Sequence, residues 1–432
     1  MDRQIVGICG FVRRPGLRIG FRSLCAASLG VTLDAAADPA VPIARPRLHC
    51  LDSIRGLASL TVLVFHCLLL YPETIRGQVF AITKFTPLAI FTNGHAAVII
   101  FFILSGYVLS LPFLKDRSAP YGQYVTKRIC RIYLPFAAAV CLSVLLWLLS
   151  SHAPVASLGL WFQENWPEPP LVWSQVIRHF LLDGTNDGTR FDGPIWSLAH
   201  EMRISIIFPA LMLVSQKSGR AVLLGLLLFT ASTVLLELTG DGNISVTPQS
   251  SLAAWALTLR YVPFFLAGIL LSKHAALLGT IIRRMPWWLY ALCWAASYMA
   301  VCKHVESAWV LANFGDLLIA VGAAGLVALT LHSPRVCHFL EKRPVTWLGR
   351  ISYSLYLIHV PVLSFVGYQL GASLGTGAVI AITIVTSLAL AEIMFRWIEL
   401  PAIGLGKWLI ALPLRVRTAV QGPSEFPAQL PR

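Results

Sequence analysis

The stretch that decides the fold is LDSIRGLASLTVLVFHCLLL, Leu51 to Leu70. An apolar run of this length is a membrane-span candidate. It opens on Asp52 and Arg55, however, and carries His66 inside it. On a helix at 100° per residue, Asp52, Ser59 and His66 all fall within about 60° of Arg55. The polar groups therefore share one stripe, and the other faces are Leu, Val, Ile and Phe. At 1.5 Å per residue His66 lies roughly 16 Å deeper than Arg55, which places it near the middle of a bilayer about 30 Å thick. An ionisable side chain at that depth is costly unless it faces protein or a water-filled cavity, so His66 is a candidate functional group. The plain alternative is a neutral histidine hydrogen-bonded to a neighbouring helix.

The rest of the chain agrees with a membrane reading. Of 432 residues, 56% are hydrophobic and 12% charged, and mean hydropathy is +0.71. A soluble domain carries about 25% charged residues. Further apolar segments near 87–113, 132–150, 195–214, 221–238, 252–272, 287–302, 309–331, 351–370 and 376–398 predict an all-α, polytopic membrane protein of about ten transmembrane helices. The net charge of +14 does not imply nucleic acid, because the Lys and Arg residues sit in short loops between apolar runs. With the N-terminus inside, 14 basic loop residues lie inside and 5 outside. The positive-inside rule then predicts both termini in the cytoplasm, in a plasma or inner membrane. Residues 1–47 read as a flexible basic extension, with a cleaved targeting segment as the alternative. Residues 403–432 read as a cytoplasmic tail. Nine cysteines without a CxxC pair predict no metal site.

Four further constellations carry ionisable groups at membrane depth or at its edges. In KRICR, Arg128 and Arg131 are three apart and share a helix face, which suits phosphate oxygens. PIWSLAHEMRISIIFP, Pro194 to Pro209, brings His200, Glu201 and Arg203 to the outer part of a span. In ISYSLYLIHVP, the residues Ser352, Tyr356 and His359 form one stripe, and His359 is a second candidate base. Glu392, Arg396 and Glu399 have spacings that let both acids pair with the arginine. Polar stripes of this kind also fit a transporter or permease with a polar path, although no duplicated halves are evident.

In order along the chain stand LDSIRGLA with His66, FFILSGYVL, KRICRIYLPF, WSLAHE, SYSLYLIHVP and WIELP. Together, over about residues 48–402, they resemble the membrane-embedded acyltransferase-3 family. The resemblance implies a ten-span enzyme that moves an acyl group, most often acetyl, from coenzyme A inside to a hydroxyl of a carbohydrate or related acceptor outside. Acyl-CoA is then a donor substrate and no tightly bound cofactor is expected; the partners are the donor, the hydroxyl-bearing acceptor and the lipid bilayer. It implies His66 and Glu201 as catalytic, and Arg128, Arg131 and Arg55 as donor-binding. Asp52, Trp196, Tyr356 and His359 are further candidates. Three and four residues after Glu201 the family usually has Phe-Tyr, whereas Ile204 and Ser205 stand here.

Overall fold

The computed structural model describes residues 45–240, 247–303 and 309–420. Most of the basic extension expected over 1–47, and the end of the tail expected over 403–432, lie outside the described residues. Eleven principal helices follow one another: α1 (Arg45–Leu68), α2 (Gly94–Leu114), α3 (Tyr121–Leu148), α4 (Trp196–Val214), α5 (Ser218–Leu238), α6 (Ser251–Lys273), α7 (Trp287–Val301), α8 (Trp309–Leu331), α9 (Arg343–Leu370), α10 (Thr376–Met394) and α11 (Leu400–Val420). No strand occurs among the described residues.

Nine segments among the described residues are long and apolar enough to cross a membrane. The tenth expected segment is α7, which has 15 residues. At 1.5 Å per residue it covers roughly 22 Å, short of a hydrocarbon core of about 30 Å. Pro286 caps its start and the helix ends at Val301.

Two close helix crossings set the frame of the site. Gly56 of α1 faces the backbone of Gly349 in α9, and a Cβ at Gly56 would lie 2.5 Å from the Gly349 nitrogen. Gly106 of α2 and Gly268 of α6 each bring backbone against backbone in the same way. Water drives no hydrophobic association inside a membrane, so close packing of small residues is what holds such helices together. Gly56→Leu is therefore expected to separate α1 from α9 and sharply reduce the yield of monodisperse protein in detergent. Size-exclusion chromatography reads this; a wild-type elution profile with wild-type melting would contradict the crossing.

Asn93 fixes the start of α2. Its side-chain oxygen accepts from the Ala96 N–H at 3.0 Å, which caps one of the unsatisfied donors of a helix N-terminus. Its amide donates to the carbonyls of Val301 at 2.9 Å and Lys303 at 2.8 Å. The end of α7 is thus tied to the residue that precedes His95 by two positions.

A π-turn, Phe395–Glu399, interrupts the helix between α10 and α11. It changes one sequence expectation. Arg396 pairs with Glu392 at 2.5 Å, but the wider turn rotates Glu399 away from that face. Glu399 is buried and accepts from the Ser354 hydroxyl at 2.7 Å. The helix then runs on through α11 into the segment expected to be a tail.

Candidate functional site

The site begins with three arginines from two helices. Arg55 of α1, with Arg128 and Arg131 of α3, lines a crevice of about 50 Å³ together with Ser105, Glu201 and Tyr353. The bonding within it is unequal. Arg128 Nη2 donates to Ser205 Oγ at 2.7 Å and lies 3.3 Å from Glu201 Oε1. Glu201 also accepts from Ser105 Oγ at 3.0 Å. Arg55 and Arg131 donate no hydrogen bond to any other described residue, so their forks remain available for an anion. Ser205, where the family usually has an aromatic residue, is the hydroxyl that holds Arg128.

A second crevice of about 30 Å³ continues the first. It shares Arg55, Ser105, Glu201 and Tyr353 with it and adds Ser197 and Tyr356. Tyr356 then lines a cavity of about 740 Å³, which also contains His66, His95, Trp161, Glu164, Trp196 and Asp316. The three spaces form a row through the bundle, joined by shared walls. The second crevice, the neck between the other two, has room for a water or two, since ~10–15 Å³ of such space holds one. Tyr356 holds this neck: its hydroxyl donates to the Pro194 carbonyl at 2.7 Å and sits 2.7 Å from the Ser197 hydroxyl. Tyr353 donates to the Ile132 carbonyl at 2.7 Å.

His66 stands in the large cavity, but not where its depth below Arg55 suggested. It lies in the last turn of α1, at the end of the apolar segment His49–Leu68. The reason is that Arg55 is itself about 9 Å inside that segment rather than at its mouth. Trp161, from the short helix Leu160–Asn165, covers the ring with centroids 5.5 Å apart.

His359 is the neighbour that fixes the chemistry of His66. Its Nδ1 lies 2.8 Å from the Tyr356 carbonyl and 3.2 Å from that of Leu355. A carbonyl can only accept, so this nitrogen carries the proton and Nε2 carries the lone pair. His66 Nδ1 lies 2.9 Å from the Val62 carbonyl and 3.2 Å from His359 Nε2. By the same logic it carries a proton shared between the two. The lone pair of His66 is thus left on Nε2, which makes no hydrogen bond with a described residue. The two histidines were placed on separate stripes by the sequence; the crossing of α1 and α9 brings them together. Both ring nitrogens of His359 are engaged in a buried place, so it can orient His66 but is not arranged to act as a second base.

The other candidates divide. Trp196 lines the large cavity. Asp52 is exposed and lines none of these spaces. His200 and Arg203 turn away from Glu201 toward α6: His200 Nδ1 is 2.9 Å from the Thr258 hydroxyl, and Arg203 donates to the Asp183 carbonyl at 2.7 Å and stacks on Trp255. Three residues were not singled out from the sequence. His95 Nε2 is 2.8 Å from Asp316 Oδ1, and the fully buried Arg260 donates to Asp316 Oδ2 at 2.9 Å. Asp316 is one acid inside an otherwise apolar run, and that cost of burial is the signal that could have found it.

Outside the spans, Asp192 is fully buried with no hydrogen-bond partner at either carboxyl oxygen. Burial pushes its carboxyl well above the usual carboxylate range. The folded state therefore holds this proton more tightly than the unfolded chain does. Stability is greatest below the unfolded value near ~4 and falls as pH rises toward the folded one. Asp192→Asn, which mimics the neutral acid, is expected to flatten this dependence and raise the melting temperature at pH 7. Melting curves between about pH 4 and about pH 8 check it; an unchanged slope would contradict it.

A separate cavity of about 630 Å³, between α1, α2, α7 and α8, is lined almost wholly by apolar side chains and contains none of these residues.

The fold and the row of spaces describe a membrane protein with an arginine-lined end and a histidine end, and comparison with known proteins gives its class. The sequence profile of the acyltransferase-3 family, an acyltransferase domain, matches residues 48–395, and the chain belongs to that family. It is a multi-pass membrane acyltransferase, which sets the permease alternative aside. It is similar to the O-acetyltransferase PaAT-1 of Phomopsis amygdali, at 22% identity over 86% of each chain. It is 26% identical to YrhL of Bacillus subtilis (strain 168), whose name provisionally assigns it peptidoglycan O-acetylation, over 81% of this chain and 54% of that one. It is 22% identical to the O-acetyltransferase OatA of Staphylococcus aureus (strain NCTC 8325 / PS 47), over 81% of this chain and 56% of that one. The chain thus spans little more than half the length of the two bacterial relatives. No solved structure matches.

Proposed function

We propose that the protein transfers an acyl group, most simply acetyl, from cytoplasmic acyl-CoA to a hydroxyl of an extracytoplasmic carbohydrate or related acceptor. The observation that carries this reading is the row of spaces from the arginine crevice to His66, joined at Tyr353 and Tyr356. Arg131 and Arg55 hold the phosphates of the donor, with Arg128 positioned by Glu201 and Ser205. The pantetheine arm passes the tyrosine neck, which must widen to admit it. The acceptor enters the large cavity, where Trp161, Trp196 and Glu164 offer the stacking surfaces and carboxylate that suit a polyol. The names of the relatives support acetyl as the group moved and, for YrhL, a cell-wall polysaccharide as acceptor.

A sugar hydroxyl is a poor nucleophile at neutral pH, so a base must take its proton or the acyl group must first be activated. The free Nε2 of His66 can do either: accept the hydroxyl proton during direct attack on the thioester, or take the acyl group and pass it on. The test uses the full chain in liposomes with radiolabelled acetyl-CoA on the arginine side and tetra-N-acetylchitotetraose as acceptor on the other. Release of free coenzyme A that depends on the protein supports the reading. Intact acetyl-CoA after prolonged incubation overturns it.

A further inference from the structure

His66 is not the only histidine facing the large cavity. His95 lines it too, 22% exposed by its side chain, and Asp316 beside it is 3% exposed. His95 sits in the first turn of α2, one residue after Gly94, which packs against Phe65 of α1. The two histidines therefore come from helix ends that touch, and Trp196 stacks on the His95 ring with centroids 6.2 Å apart.

The bonding sets the proton positions. Asp316 Oδ1 accepts from His95 Nε2 at 2.8 Å, while Oδ2 is held by Arg260 at 2.9 Å. The Arg260 guanidinium also lies over the Phe229 ring, so the carboxylate is anchored from its far side. A carboxylate oxygen accepts the hydrogen bond from Nε2–H, which leaves the lone pair of the neutral ring on Nδ1. That nitrogen has no hydrogen bond to a described residue. A base oriented by a buried acid, which is itself held in place, is the arrangement of an activating pair. A merely structural bridge between α6 and α8 needs Arg260 and Asp316 but not a histidine open to a cavity.

We propose that His95 is a second catalytic histidine, the base that takes the acceptor hydroxyl proton, while His66 carries the acyl group. This rests on the acyl-CoA reading above and decides between the two roles left open for His66. In the first step His66 Nε2 attacks the thioester carbonyl, the C–S bond breaks, and coenzyme A leaves as thiolate and takes a proton from water. In the second, the acceptor oxygen attacks the acyl carbon and gives its proton to His95 Nδ1. The C–N bond breaks and returns its electron pair to His66, and His95 then yields the proton to water. The sum is thioester plus alcohol to ester plus thiol.

Two substitutions separate this from a structural role. The amide of His95→Gln can still donate to Asp316 but has no base at the Nδ1 position. His95→Asn places an oxygen near Nδ1 that accepts a hydrogen bond but takes up no proton. The probe is acetyl-labelled acetyl-CoA, with water and tetra-N-acetylchitotetraose as acceptors, on full-length protein in liposomes matched by melting temperature. Both variants are expected to release about one coenzyme A per protein in a burst, then turn over at least ~100-fold more slowly than wild type. Label should be retained on protein separated rapidly by gel filtration at neutral pH, and be lost on brief acid treatment or with hydroxylamine. Turnover within twofold of wild type in His95→Gln overturns the proposal, as does loss of the burst itself. Persistent release in His66→Ala would instead overturn the reading of His66, and a wild type that leaves acetyl-CoA intact would overturn the donor.

Discussion

Replacing His66 with alanine is expected to lower acyl transfer by about 10³-fold or more, the scale of losing a positioned base or nucleophile. The variant should still assemble in the membrane. His66 contributes its Nδ1 proton to Val62 and His359, and the ring is half-buried at a cavity wall, so its removal leaves no buried charge behind. Steady-state kinetics with acetyl-CoA, alongside size-exclusion chromatography, read both effects. Full activity in folded protein would remove His66 from the chemistry. His359→Ala should be intermediate, because the lone pair on His66 Nε2 survives while the ring loses one of its two anchors. The contrast between the two variants separates a reacting group from the group that aims it.

The second large effect is expected at the arginine crevice, and there the two members of the KRICR pair should differ. Arg131→Ala removes a fork that no described residue engages. The loss should appear as a rise in the apparent KM for acetyl-CoA of about 10- to 100-fold, from charge-assisted hydrogen bonds worth ~1.5–3 kcal/mol, with a smaller change in kcat. Arg128→Ala also strips Glu201 of its cation, leaves a half-buried carboxylate in the passage, and should lower kcat as well. Initial rates across donor concentrations distinguish them. A change confined to the acceptor KM in Arg131→Ala would show that the crevice does not hold the donor.

Much of this was legible from the sequence because membrane burial makes ionisable residues conspicuous. His66, Arg55, Arg128, Arg131, Glu201 and Tyr356 stood out against apolar surroundings, and all of them line the row of spaces. The helices were legible for the same reason, since a span must satisfy its own backbone. What could not be read was relation across helices. Nothing in the spacing says that His359 meets His66, because that depends on Gly56 and Gly349 letting α1 and α9 touch. Nothing says that Asp52 faces outward, three residues from an arginine that faces in. Asp316 is not legible because a single acid in an apolar run has no local partner; its partners come from α2 and α6. Glu399 departs from the expected pairing with Arg396 because a π-turn adds a residue to a helical turn and shifts every later side chain around the axis.

The tyrosine neck carries a consequence for the cell that surrounds the enzyme. On the proposed route, with the two reactants drawn from opposite compartments, the enzyme risks becoming a leak for ions and protons. A constriction with room for only a water or two, latched by phenol hydroxyls on backbone carbonyls, would on the proposed route let a slender thioester push through while the barrier stays tight between turnovers. Smaller residues at Tyr353 or Tyr356 should therefore burden a host through conductance as well as through lost catalysis.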